Sequence, residues 1–249
     1  MRNIKAIFIK QLTSLVKSPL MIVQGILFLL IAGAFLLLAP PDEAKECFAC
    51  IPAYVCEVCE YEAYNRFELP IPSGVGLFAV IFIGLALVSS SSAQVAEDKT
   101  TTNLRFMAMA DVRPWQYLSG TFTAMIAVVT VMLIFYALLG GYFGRDMLRF
   151  MSIGVFGGMV SILLGVVIGL SKFPLLATPI SLVLGLGPTL SDANETVANI
   201  LNFTFIQQVR IGLGDLEADL SSSFLIIAAN GAVILFAFLI MHRKNRFNV

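Results

Sequence analysis

Apolar residues fall in long blocks along this chain, separated by short polar stretches, and the blocks set the expected architecture. A helix crossing a bilayer needs about 20 mostly apolar residues. Leu20 to Ala39, Ser73 to Ala93, Leu118 to Tyr142, Leu148 to Leu170 and Ser222 to Met241 each meet that need. Gln24 is the one strongly polar residue of the first block, and Arg149, second residue of the fourth, is the one charge inside a block. A shorter block, Pro174 to Gly187, is bracketed by Pro174, Pro179 and Pro188. It reads as a broken fifth span, whose freed backbone groups need protein or water around them, with a re-entrant segment as the alternative. The pattern predicts an all-α polytopic membrane protein with six transmembrane helices.

Residues 1–19 read as a separate helix. Ile4, Ile7, Phe8, Leu12, Leu15 and Val16 recur at helical spacing, with Arg2, Lys5, Lys10 and Lys17 on the polar side. That is an amphipathic interfacial helix lying on the inner leaflet before Ser18-Pro19 turns the chain into the bilayer. A basic anchor that merely sets topology fits the same residues. A signal peptide fits poorly, because the following apolar run is too long and lacks a small-residue cleavage pattern.

Composition agrees with this pattern. Hydrophobic residues make up 58% of the 249 and charged residues only 13%, with a mean hydropathy of +0.89. Those values exclude the ordinary soluble enzyme, nucleic-acid binder and disordered chain. The net charge of zero hides an asymmetry. With six spans and the N-terminus inside, eleven basic and three acidic residues face inward, and five basic and thirteen acidic residues face outward. Basic residues collect on the cytoplasmic side. Both termini are therefore expected in the cytoplasm, in a plasma membrane, and the bare architecture suggests a prokaryote.

All four cysteines sit in the external loop 40–72, as Cys47-x-x-Cys50 and Cys56-x-x-Cys59. Four thiolates can close a tetrahedral zinc shell. The pairs are nevertheless closer together than in zinc ribbons, which use about 15–20 intervening residues. Two disulfides suit an oxidising exterior, a metal and free thiols stay open, and the pairing is not fixed by sequence.

The segment 96–117 is mixed in character. Acids and threonines around Asp98 to Thr102 signal a helix start, Leu104, Phe106, Met107 and Met109 form an apolar patch, and Pro114 is expected to stop that helix. Trp115 and Tyr117 then mark the interface where the next span begins. Such a helix suits a groove on another protein or the bilayer surface.

Glu97-Asp98-Lys99-Thr100, Leu104-Arg105-Phe106, Pro114 and Tyr117-Leu118-Ser119-Gly120 occur in that order. This order resembles the intracellular loop between spans two and three of ABC-2 type permeases, although Thr100-Thr101 stands where members often have Gly-Thr. The resemblance covers the whole chain in order, as a single transmembrane domain over 1–249: interfacial helix, six spans, coupling loop, and a polar external segment at 188–221 before the last span. It implies that the loop is a coupling helix docked on an ATP-hydrolysing subunit, with Glu97, Asp98, Lys99, Thr100, Arg105, Phe106, Met107, Pro114 and Trp115 as coupling residues. It also implies that the 188–221 segment is similar to the re-entrant helices that cap the translocation path.

There is no GxxxxGK[ST] loop in the chain, so ATP and Mg would belong to a separate ATPase, present in two copies. Six spans form half of the usual two-fold assembly, which implies a second permease chain, identical or related. The expected function is export of an amphipathic or hydrophobic cargo (peptide, lipid or drug-like molecule) by alternating access. Phe28, Phe78, Phe82 and Phe122 are candidates for an aromatic cargo path, with lipid contact and packing as their plainer role. Gly154, Gly157, Gly158, Gly165 and Gly169 read as a packing seam. A membrane scaffold or sensor, with a ligand or metal at the cysteine loop, is the alternative. An intramembrane enzyme is disfavoured, since the single histidine, His242, lies in the terminal tail.

Overall fold

The computed structural model describes residues 7–13, 20–38, 71–100, 114–171, 173–190, 195–214 and 220–245. Among them there is no strand, and the fold is all-helical. The four cysteines, together with Arg105, Phe106 and Met107, lie outside the described residues.

The short helix α1 (residues 7–13) precedes α2 (Leu20–Leu38). Next comes one continuous rod: α3 (Ile71–Ile81), a π-helical stretch (Phe82–Leu87) and α4 (Val88–Thr100). Helices α5 (Pro114–Leu139) and α6 (Arg145–Leu170) follow. A 3₁₀ turn (Pro174–Leu176) leads into α7 (Ala177–Leu190). Two short helices, α8 (Glu195–Leu201) and α9 (Phe205–Gly214), then precede α10 (Leu220–Asn245).

Among the described residues, four stretches are long and apolar enough to cross a membrane: Val75–Thr100, Gln116–Leu139, Arg145–Leu170 and Leu220–Ile240. Two apolar helical stretches, Met21–Ala34 and Pro174–Thr189, are shorter. With 14 residues, α7 is about 21 Å long at 1.5 Å per residue, less than the ~30 Å of a hydrocarbon core.

Two boundaries differ from expectation. The second span does not end at Ala93 but continues as helix to Thr100, because Val95 and Asp98 are buried against neighbouring helices and hold the last turns. The helix of the third span opens at Pro114, ahead of the expected Leu118. The missing N–H of that proline costs nothing in a first turn, where no intrahelical acceptor exists.

Side-chain meetings fix the direction of each rod. Gly158 of α6 faces Leu87 and Val129, and Gly169 faces Ser92 and Val95, so α6 runs parallel to α4 and antiparallel to α5. Phe224 packs edge-on against Phe156, with ring centroids 5.5 Å apart, and Gly231 faces Val160, so α10 runs parallel to α6. Gly84 of the π stretch meets the backbone of Leu184 and Gly185, with α7 antiparallel to it. As a result α1 and the last turns of α10 sit at the same end of the bundle. The α8–α9 hairpin sits at the other end, where Leu213 abuts Gly76.

Glycines let these rods approach backbone to backbone, which drives helix association where lipid removes the hydrophobic incentive. A Cβ on Gly165 would overlap Ser91 Oγ and come within 2.6 Å of the Val88 carbonyl. One on Gly169 would lie 2.7 Å from the Ser92 carbonyl. The glycine face of α6 is thus a packing seam against α4, α5 and α9. Some hydroxyls inside the rods fold back on their own helix: Ser91 Oγ donates to the Leu87 carbonyl at 2.6 Å and Thr130 Oγ1 to that of Ile126 at 2.8 Å.

The turn joining α5 to α6 uses Gly141 and Gly144 at φ of 70° and 62°, a region costly for residues with a Cβ. Tyr142 between them stacks on Phe150 at 4.9 Å. Burial, and then the charge of Asp146, raise the pKa of its phenol above the ordinary value.

Gly165→Ala should destabilise the purified protein by about 1–3 kcal/mol through overpacking. Gly33→Ala, whose Cβ would meet nothing nearer than Leu139 Cδ1 at 4.0 Å, should be neutral or slightly stabilising. Thermal unfolding in detergent compares the two. Equal shifts would contradict the close α4–α6 contact.

Candidate functional site

The polar residues that the sequence places around 96–117 separate in space according to where each can be satisfied. Asp98, near the end of α4, points into the bundle and is only 7% exposed. A buried carboxylate needs donors, and two helices supply them. Gln11 Nε2 of α1 donates to Asp98 Oδ2 at 2.8 Å, and Tyr117 Oη of α5 donates to the same oxygen at 2.8 Å. Lys10 Nζ donates to Oδ1 at 3.2 Å and forms an ion pair there. Gln94, one turn before Asp98, donates from Nε2 to Gln11 Oε1. Three charge-assisted bonds on one carboxylate tie α1, α4 and α5 into a single junction.

Apolar packing brings α1 there. Ile7 lies on the start of α5, where a Cβ on Gly120 would come 2.6 Å from Ile7 Cγ2. Ile7 and Gln11, one turn apart, are both buried, and Ile9 on the opposite side is exposed. The expected amphipathic helix is therefore seated on protein along this face. Gln11, a polar residue on the apolar side, is 1% exposed because Asp98 and Gln94 satisfy it.

Lys99, Thr100 and Glu97 point elsewhere. Lys99 Nζ donates to the carbonyls of Leu170 and Ser171, at 3.4 and 3.1 Å, and so places its charge at the C-terminal end of α6. Thr100 Oγ1 donates to the Glu97 carbonyl at 3.0 Å, and Glu97 is exposed. Pro114 and Trp115 form the first two residues of α5. The undescribed stretch 101–113 thus springs from two roots, Thr100 and Pro114, and the Asp98 junction clamps both.

The aromatic candidates are not equivalent. Phe82 is fully buried, with its ring 5.9 Å from Tyr136, and it is a core residue. Phe28, Phe78 and Phe122 are half-buried against the same core.

At the opposite end, the α8–α9 hairpin is fastened by polar contacts. Ser223 Oγ donates to Gln208 Oε1 at 3.0 Å, Asn230 Nδ2 to the Phe203 carbonyl at 3.0 Å, and Arg210 to the Pro188 carbonyl. Ile206, Val209 and Leu213 of α9 are fully buried in the bundle.

Reading the sequence missed Gln11 and Gln94 and took Tyr117 only as an interface marker. The available signal was the four-residue spacing of Ser90, Gln94 and Asp98, which shares one helix face once α4 is known to continue. Compared with known protein families, with curated proteins and with solved structures, the chain matches none.

Asp98→Ala should cost about 3 kcal/mol, since it leaves buried Gln11 and Tyr117 without their acceptor. Lys10→Met should cost under ~1 kcal/mol, because the Lys10 side chain is 42% exposed. Urea or thermal unfolding of each variant measures the contrast, and a Lys10 effect equal to that of Asp98 would remove the hierarchy.

Proposed function

We propose that this chain is the membrane-spanning permease subunit of an ATP-driven exporter of the ABC-2 type. It would be paired with a second permease chain and driven by two copies of a separate ATPase. The order of sequence features supports the reading, as do the apolar helices and the placement of α1 and the end of α10 at one end of the bundle. That end is assigned to the cytoplasm by its excess of basic residues.

The observation that carries the proposal is the Asp98 junction. A motor subunit pushing on residues 101–113 would act on two roots already bolted together and onto α1. Displacement of the segment would then move α4, α5 and α1 as one body instead of flexing a loop. Glu97 and Arg105 are the charges offered to the motor. ATP would close the ATPase pair, and the permease would follow only so far as ATP binds the two states unequally. At the far end the α8–α9 hairpin would cap the path, and an amphipathic or hydrophobic cargo would pass by alternating access.

A tagged chain purified gently from its own cells should bring a P-loop ATPase with it, and a transported cargo should change the ATP turnover of that complex. Arg105→Glu should weaken recovery of the ATPase, or its turnover, by about tenfold, as a reversed charge at a protein contact does. Unchanged recovery and turnover, or no nucleotide-hydrolysing companion at all, would leave the proposal without a motor.

A further inference from the structure

Ser90, Gln94 and Asp98 repeat every four residues and line one face of α4. Each is answered by the N-terminal part of the chain. Ser90 Oγ donates to Gln24 Oε1 of α2 at 3.3 Å. Gln94 donates to Gln11, and Asp98 accepts from Gln11 and Lys10. The polar ladder therefore fastens α1 and α2 to α4. The other side of α2, with Val23, Ile26, Leu27, Leu30 and Ile31, is exposed.

Gln11 joins two rungs at once. Its amide donates to a carboxylate and accepts from another amide, which no apolar side chain can do and no carboxylate can do beside Asp98. An apolar residue at this position would adhere to α5 in many registers. A buried amide recovers its desolvation cost in only one register and loses that bond whenever the helix lifts.

We propose that α1 is a releasable latch with Gln11 as its keystone. Closed, as described here, it holds the two roots of the 101–113 segment together. Released, it takes Gln11 and Lys10 away from Asp98 and leaves the Tyr117 hydroxyl as that carboxylate's remaining tie between α4 and α5 in the junction. Lys10, half in solvent, can exchange Asp98 for water or lipid phosphate as the latch opens. The inference stands on these contacts alone and does not require the exporter reading.

The test uses the full chain in lipid nanodiscs with no ATPase present. The readout is the rate of tryptic cleavage between Lys10 and Gln11, followed by mass spectrometry, which reports the open population when closing outpaces cutting. Asp98→Asn is made in two backgrounds. Beside the native Gln11 it sets amide against amide and removes the charge, so cleavage should quicken by about 10- to 100-fold, the loss of one or two bonds to a charged group. Beside Gln11→Glu the same change has the opposite effect. In Q11E the two carboxylates at positions 11 and 98 repel each other. In Q11E/D98N the carboxylate at position 11 accepts from the new amide at position 98 as well as from Gln94. Cleavage of Q11E/D98N should therefore be slower than that of Q11E by a similar factor. Each comparison keeps the sequence at the cut constant. If Q11E alone does not fold, recovery of folded Q11E/D98N carries the same reversal of sign. The latch is overturned if D98N acts in the same direction in both backgrounds or leaves the rates unchanged.

Discussion

A carboxylate at the margin of an apolar bundle has to be paired, and the consequences of pairing Asp98 organise one whole end of this protein. An ionised oxygen pair shut away from water is strongly unfavourable unless donors converge on it. Here the donors come from helices on either side in sequence, Lys10 and Gln11 before it and Tyr117 after it. That demand explains why α4 stays helical through a run of serines, glutamine and charges that would otherwise leave the bundle as loop. It also explains why α1 sits on α5 instead of only resting on lipid.

The rest of the bundle is held by closeness. In a bilayer, apolar side chains gain nothing by leaving lipid for protein, so association depends on shape and backbone approach. The α4–α6 contact uses glycines on one side and Ser91 and Ser92 on the other, and the Ser91 proton is already returned to its own helix. The α2 and α10 helices, by contrast, keep broad apolar faces outward, from Val23 to Ile31 and from Leu225 to Ile240. The molecule thus divides into a tight centre and a perimeter that packs one apolar face inward and turns another outward.

Much of this was legible in the residues. The α2 boundaries, the amphipathic α1, the proline-framed short helix and the glycine seam all follow from period and composition. What could not be read was three-dimensional. Glu97, Asp98 and Lys99 are neighbours in sequence, and nothing local says that one faces solvent, one the interior and one the end of another helix. Gln11 drew no notice in an apolar stripe, because its partners lie more than 80 residues away. Pro114 was ambiguous for a different reason: proline both ends helices and begins them, and only the following residues decide.

The π-helical stretch Phe82–Leu87 sits in the middle of the long rod, between the face that meets α9 and the face that meets the N-terminal helices. A π turn accommodates about one residue more than an α turn, so it offsets the angular phase of everything beyond it by roughly 100°. Loss of a single residue there would restore an unbroken α-helix and keep every side chain of α4 unchanged. It would also swing Ser90, Gln94 and Asp98 together by more than a quarter turn, away from Gln24, Gln11, Lys10 and Tyr117. The orientation of the polar face is thus encoded by the chain length upstream of it, and a one-residue deletion in an apolar stretch would act as a lesion on a charge about three to four turns away.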